Sequence, residues 1–389
     1  MRYWRGYLTA AILAVITGGL TLLAKRFSVL VDAFYPFLTR EVQTVLAQWS
    51  SGVDVVVWQM LAMLLILGLL LSVVLMIALK WNFVRWLGWV LACASLVWML
   101  HTGIYGLNYS AGPLSQDIHL NSNDFTVDDL EDATLYFRDK ANAMAAQMPR
   151  DDNGDLIYSD FNTLAQKAGD GFHTLTYEQS GSVFAGSLEP VKELAWADLY
   201  TSMGILGITM PLTGEAAVNP QIPAIALPFT MCHEMAHRMC IATEDDANFA
   251  AFLACLANED PQFQYSAYYM AYRYCYSALR SSGSAQAAAA AARIDLEVNS
   301  YLRYDLKVYD RFFTGHRSEF ASNVADKVND AYIKISGDSA GTESYSQVSV
   351  SLVNWYLEVL VKPYMEESQE PGFNPLDKDY IHGILGGNG

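Results

Sequence analysis

The chain has 389 residues, of which 52% are hydrophobic and only 17% are charged, and this balance excludes an intrinsically disordered protein. Its charge is unevenly divided. Residues 1–104 hold seven Lys/Arg and three Asp/Glu, whereas residues 105–389 hold 17 Lys/Arg and 38 Asp/Glu. The net charge of −17 is therefore the sum of a weakly basic part and a strongly acidic part. Because phosphate binding needs a basic face and none is visible, nucleic acid is excluded as a partner.

Three long apolar runs near the N-terminus predict membrane-spanning helices. About 20 apolar residues cross the hydrocarbon core, and the runs cover residues 7–24, 55–79 and 86–105. The first run could instead be a signal peptide, since Arg2 and Arg5 precede it, but no small-x-small cleavage site comes before Lys25 and Arg26. We therefore expect a multi-pass protein of the plasma membrane, with the lipid bilayer as a partner.

Basic residues orient these spans by a small margin. With the N-terminus inside, four are cytoplasmic and three external, and the reverse topology exchanges these numbers. The stretch from Gly106 to Phe137 has no Lys or Arg, which is compatible with translocation. The sequence thus favours an extracellular C-terminal domain and leaves the opposite orientation open.

Helical signals dominate the rest of the chain. After a juxtamembrane linker at 106–123, a capping box at Thr126–Asp129 predicts a helix through Met144. An alanine-rich stretch predicts another over 285–306, and a last helix is expected over 345–361. Residues 207–210 and 216–219 predict a short β-hairpin or edge strand. The expected fold is mainly α: three transmembrane helices, a mostly helical domain over 124–362 with a small edge β element, and an acidic tail over 363–389.

The strongest chemical signal is the motif His233-Glu-Met-Ala-His237. Two histidines at i and i+4 lie on one helix face, at the spacing that lets both imidazoles bind one tetrahedral zinc ion. Glu234 is one residue round the helix, where its carboxylate would reach a metal-bound water and act as general base.

A catalytic zinc site needs a third protein ligand and an open position. The Thr243–Asp246 capping box predicts a second helix, whose first turn would approach the metal. Glu244 is the expected third ligand and Asp246 the competing one, and Asn248 would support a ligand by hydrogen bonding. Alternatively, these acidic residues simply favour the dipole of an exposed helix N-terminus.

The HExxH motif followed by Glu244-Asp-Asp-Ala-Asn248 resembles the gluzincin class of zinc metallopeptidases. The spans, the Gly106–Tyr109 exit, the Pro211–Glu215 segment and the run through Phe249 resemble, more closely, a bacterial family of membrane-anchored HExxH proteins of unknown function. The resemblance covers nearly the whole chain. It implies a zincin-like domain and supplies no substrate.

Other residues are weaker candidates. Tyr345 and His316 would be donors to an oxyanion, although a structural role is the alternative for each. Gly207, Thr209 and Glu215 would line an edge that accepts an extended substrate by strand addition, with a surface turn as the alternative for Glu215. Cys232 and Cys240 flank the histidines and are expected to be buried apolar groups and not ligands.

The sequence therefore predicts a membrane-anchored zinc peptidase that hydrolyses peptide bonds in a peptide or protein substrate. Three alternatives remain: a non-catalytic zinc-binding sensory or interaction domain, an intramembrane protease, and a structural anchor with an accidental motif. The motif lies more than a hundred residues beyond the last span, which argues against the intramembrane protease.

Overall fold

The computed structural model describes residues 4–121, 124–178, 183–316 and 347–363, with positions 323 and 327. It is mainly helical with one small sheet, as predicted. Its α-helices are α1 (Arg5–Arg26), α2 (Ser28–Ser51), α3 (Val57–Ala78), α4 (Phe83–Ile104), α5 (Leu114–Asp117), α6 (Val127–Gln147), α7 (Phe161–Glu178), α8 (Ala197–Met203), α9 (Leu227–Arg238), α10 (Glu244–Ala257), α11 (Pro261–Ser281), α12 (Ala285–Leu296), α13 (Ser300–His316) and α14 (Val348–Trp355). Single turns of 3-10 helix lie at Gly106–Ser110 and Ala224–Ala226, and α14 continues as a π-helix over Tyr356–Val361.

Helices α1, α3 and α4 are each long and apolar enough to cross a membrane. Helices α1 and α4 pack along each other, and they run parallel because Gly6 near the start of α1 touches Gly88 near the start of α4. Helix α3 precedes α4 through a turn of four residues, and Trp86 donates a hydrogen bond to Ser72 across it. The end of α1, the start of α3 and the end of α4 therefore lie at the same end of this bundle, beside the C-terminal domain.

The segment between the first two spans, to which the sequence analysis assigned no structure, forms helix α2. This helix packs against the domain and not against the other apolar helices alone. The Asp32 carboxylate accepts the N–H of Gly112, and the Tyr35 hydroxyl donates to the carbonyl of Thr102. In the predicted juxtamembrane linker, the segments Gly106–Ser110 and Leu114–Asp117 consequently form short helical turns, and the first of them packs on α2.

The sheet contains three strands in the order β1-β3-β2: β1 (Lys192–Glu193) is parallel to β3 (Glu215–Val218), and β2 (Gly207–Met210) is antiparallel to it. The expected hairpin is confirmed, and β2 is its edge strand. The core of the domain lies between α6, α7, α9, α10 and α11, where Phe137, Phe172, Phe249, Phe252 and Phe263 are fully buried.

The Thr126 capping box is confirmed, with both reciprocal hydrogen bonds present. The single helix expected over 285–306 is wrong, because the chain turns at 297–299, where Asn142 binds both the backbone N–H and the side chain of Asn299. Most of the expected C-terminal tail lies outside the described residues, as does Tyr345, the first residue of the expected last helix.

Candidate metal centre

The motif helix α9 ends in a sharp reversal that determines the geometry of the site. Cys240 adopts the left-handed conformation (φ 68°). Its N–H bonds to the carbonyl of His237, and the N–H of Ile241 bonds to that of Ala236. These two bonds form a Schellman C-cap, in which glycine usually takes the left-handed position. The reversal brings the first turn of α10 back across the face that carries the histidines.

Glu244 stands opposite both histidines as a result. Its Oε2 lies 3.4 Å from His233 Nε2, and its Oε1 lies 3.7 Å from His237 Nε2. The three donor groups lie within 4.8 Å of one another, and no fourth His, Cys, Asp or Glu joins them among the described residues. Donor atoms on a tetrahedral zinc with ~2.0–2.1 Å bonds are about 3.3 Å apart, so the two distances from Glu244 to the histidines are close to the spacing that a zinc ion requires.

The ring of His237 is fixed by a second contact that the sequence analysis did not identify. Its Nδ1 lies 2.9 Å from the carbonyl oxygen of Ile241, a bond that orients the ring and leaves Nε2 for the metal side. His233 Nδ1 is buried without a hydrogen-bond partner. The unusual backbone at Cys240 thus supplies both the position of Glu244 and the orientation of His237.

The three side chains of the cluster shift one another's pKa values. Burial alone would raise the pKa of Glu244, but the facing imidazoles of His233 and His237 outweigh it and hold that pKa well below its usual range. Burial opposes charge on His237 too, and the Glu244 carboxylate reverses this and raises its pKa to about 9. The carboxylate is therefore ionised at neutral pH, as a metal ligand must be, whereas His237 holds a proton that a metal ion would have to displace.

Glu234 lies beside the cluster and is held by the edge strand. Its side chain is 5% exposed, and its Oε2 is 2.7 Å from the hydroxyl of Thr209, which is also 2.8 Å from the Glu234 carbonyl. The backbone at Gly207 lies against the same carboxylate: a Cβ there would be 2.5 Å from Oε1. Burial raises the pKa of Glu234.

The pairing of β2 with β3 leaves one edge of β2 open. Asn219 N–H bonds to the Leu206 carbonyl in the same register that pairs Ile208 with Ala217. In an antiparallel ladder the hydrogen-bonded positions alternate, so the backbone groups of Gly207 and Thr209 point away from β3. No strand covers that edge among the residues that the structure describes.

Glu215 has a different role from the expected one. It lies in the central strand β3 and is 2% exposed. Its carboxylate accepts the N–H groups of Val57 and Trp58 at the start of α3, each at 2.8 Å, and forms an ion pair with Lys192 at 2.8 Å. The expectation that Glu215 lines the substrate edge is wrong, because both of its carboxylate oxygens bond to the start of the apolar helix α3 and so join that helix to the domain.

Asp246, the competing ligand, does not join the histidines. Its Oδ2 accepts the hydroxyl of Thr243 at 2.7 Å, so the expected capping box is replaced by a bond between side chains. Burial, aided by repulsion from Asp245, raises the pKa of Asp246 to about 7.

Asn248 is 4% exposed; its Oδ1 accepts the hydroxyl of Tyr274 at 3.0 Å, and its Nδ2 has no partner. Cys232 is directed to the carbonyl of Ala168, and Cys240 is buried near the end of α4. Neither cysteine sulfur belongs to the cluster.

Two buried arginines hold the motif helix and were not identified from the sequence. Arg238 is 2% exposed and donates to the carbonyls of Ser187 and Glu189, and burial lowers its pKa to about 10. Arg40 of α2 donates to the carbonyl of Met239 at 3.1 Å. Nothing in the local sequence marks these contacts, since each joins segments that are distant along the chain.

Residues 32–353 match a protein family described as "Protein of unknown function (DUF3810)". The chain belongs to this family. The match begins within α2 and includes α3, α4, the motif helix and α10, so two of the three apolar helices and the candidate metal centre lie in the matched region, whereas α1 precedes it. No curated protein matches the chain, and no solved structure matches it.

Proposed function

We propose that the protein is a membrane-anchored zinc peptidase. The observation that carries this proposal is the convergence of His233, His237 and Glu244 on one point beside the buried carboxylate of Glu234. Two imidazoles and a carboxylate, with a further position open, are the donor set of catalytic zinc sites. The same geometry is consistent with the resemblance to gluzincins, and the lack of a fourth ligand among the described residues supports an open site over a closed structural one.

His233, His237 and Glu244 would hold the zinc ion, with His237 oriented by the Ile241 carbonyl. When bound, zinc polarises a scissile carbonyl and makes a water more acidic. Glu234 would accept a proton from that water, and the Thr209 hydroxyl keeps its carboxylate in place. The open edge of β2 would bind an extended peptide through the backbone of Gly207 and Thr209.

The multi-pass arrangement is part of the proposal. Three membrane-spanning helices would place the N-terminus and the C-terminal domain on opposite sides of the bilayer, and the domain outside the cell would meet secreted, envelope or cell-surface polypeptides. The parallel course of α1 and α4, and the capping of α3 by Glu215 of the domain, support an odd number of spans.

The test uses the full chain purified in lipid. We expect about one zinc per chain, lost in the double variant His233→Ala with His237→Ala, and cleavage of a mixed peptide library scored by mass spectrometry. Glu234→Gln should keep zinc and lose cleavage, whereas Glu193→Gln, at an exposed glutamate of β1, should behave as the parent.

Zinc that persists in the double histidine variant would remove these residues from the site. Zinc binding combined with equal cleavage by Glu234→Gln would refute the proton-acceptor role. Zinc binding without cleavage by the parent would instead favour a non-catalytic zinc domain.

A further inference from the structure

Helix α2 has two faces of opposite character. Toward the domain it presents buried polar side chains, including Thr39, Arg40 and Gln43. Its opposite face, here called the outer face, carries exposed apolar side chains at i, i+3 and i+4 spacing: Leu30, Phe34, Phe37, Leu38, Val45 and Trp49. A helix on the surface of a water-soluble domain has the reverse arrangement. The outer face therefore needs an apolar environment outside the chain.

The connections of α2 determine how it lies relative to the membrane. Phe27 alone separates it from α1, and only residues 52–56 separate it from α3. In the three-span arrangement, the end of α1 and the start of α3 are at the same surface of the bilayer. With 24 residues, α2 is about 36 Å long at ~1.5 Å per residue, whereas five extended residues reach only about 20 Å. An upright α2 could not return the chain to α3, so α2 lies along the surface.

We infer that the outer face of α2 rests in the bilayer interface and holds the candidate metal centre at the membrane surface. Lys25 and Arg26 in the last turn of α1 mark the level of the headgroups beside its start. Glu41 is exposed within the outer face, which matches headgroup depth and not the hydrocarbon core. The bilayer that accepts the flanking helices is the occupant that covers this face.

The domain-facing side of α2 binds the end of the motif helix α9 and the turn that follows β2. Arg40 donates to the carbonyl of Met239, two residues after His237. Gln43, nearly one turn on, donates at 3.0 Å to the carbonyl of Pro211, the residue after β2. Gly214, in the turn between β2 and β3 at φ 67°, lies so close that a Cβ would be 2.5 Å from the Ala47 nitrogen.

The position of the site at the membrane surface indicates a class of substrate. This inference rests on the proposed peptidase function. The open edge of β2 and the end of the histidine helix are both tied to a helix in the membrane interface. Extended polypeptide segments at the membrane surface, such as those adjoining a membrane span, are therefore the substrates that reach the site most directly.

The experiment measures the depth of α2 without reference to zinc or hydrolysis. Single cysteines replace Leu30, Phe34 or Val45 in full-length protein that carries Cys93→Ala and keeps its four buried cysteines. Each is labelled with an environment-sensitive fluorophore and reconstituted in phosphatidylcholine–phosphatidylglycerol vesicles with normal or acyl-brominated lipid. Leu296→Cys, at an exposed leucine of α12, is the control.

We expect bromine to lower emission at all three α2 positions by about twofold or more, as for side chains that enter the acyl boundary, and to leave Leu296→Cys unchanged. Quenching at Leu30→Cys alone would mean an upright α2 and would overturn the inference. Absence of quenching at every α2 position would overturn it as well, and dipolar coupling between spin labels at Val45→Cys would then identify a second copy as the occupant. None of these outcomes depends on whether the protein hydrolyses peptides.

Discussion

The close approach of Gly207 to Glu234 makes Gly207→Ala the sharpest test of the site geometry. An added Cβ would lie 2.5 Å from Oε1, 2.6 Å from Cγ and 2.8 Å from Cδ of Glu234, where ordinary contacts begin at 3.4 Å. The carboxylate must move by nearly 1 Å. Because it is buried and held by Thr209 at 2.7 Å, the movement breaks a hydrogen bond to an acidic group.

The expected loss of stability combines the cost of overpacking with the cost of the broken hydrogen bond. Overpacking by one methyl costs ~1–3 kcal/mol, and a hydrogen bond to a charged group contributes ~1.5–3 kcal/mol. These overlap, since one displacement relieves the clash and breaks the bond, and we expect a loss of about 3 kcal/mol. At roughly 2–4 °C per kcal/mol for a domain of this size, the unfolding temperature should fall by about 10 °C. A displacement of 1 Å at a proton acceptor should also lower the rate of cleavage by about 10²-fold.

The assay is thermal unfolding of the full chain in detergent, with zinc content measured on the same samples. Gly315→Ala is the matched control, because no atom lies within 4 Å of the added methyl and alanine is the better helix former. In a Glu234→Ala background, which removes the three atoms nearest to the added Cβ, Gly207→Ala should cost much less. An equal loss of stability with and without the Glu234 side chain would refute the reasoning.

The remaining predictions concern the third ligand, the attachment of α3 and sidedness. Glu244→Ala should weaken zinc binding by at least about tenfold, whereas Asp246→Ala should keep the parental affinity in the same titration; the opposite order would reverse the ligand assignment. Glu215→Ala should lower the free energy of unfolding by about 3 kcal/mol, because it leaves a partly buried lysine and two backbone N–H groups without their carboxylate; thermal unfolding that matches the parent would contradict this. With Cys93→Ala as background, Leu296→Cys should react with a membrane-impermeant maleimide in intact cells, and reaction only after lysis would refute an external domain.

The sequence alone was sufficient for features that depend on local pattern. Apolar runs long enough to cross a bilayer, the Thr126 capping box and the alternation that forms β2 and β3 can all be read within a window of residues, and the structure contains each of them. The i, i+4 spacing of His233 and His237 likewise needs only helical geometry to place both rings on one face.

The tertiary structure decided features that join distant segments. Glu244 rather than Asp246 faces the histidines because Cys240 takes a left-handed conformation, and no local rule predicts that for cysteine. Glu215 binds the start of α3, 157 and 158 positions away along the chain, and a glutamate beside a turn carries no sign of such a partner. The polar face of α2 is visible in the sequence only as scattered Thr, Arg and Gln. Only the tertiary structure shows why these residues are polar. The end of α9 and the turn after β2 supply the carbonyl groups that Arg40 and Gln43 need once they are buried.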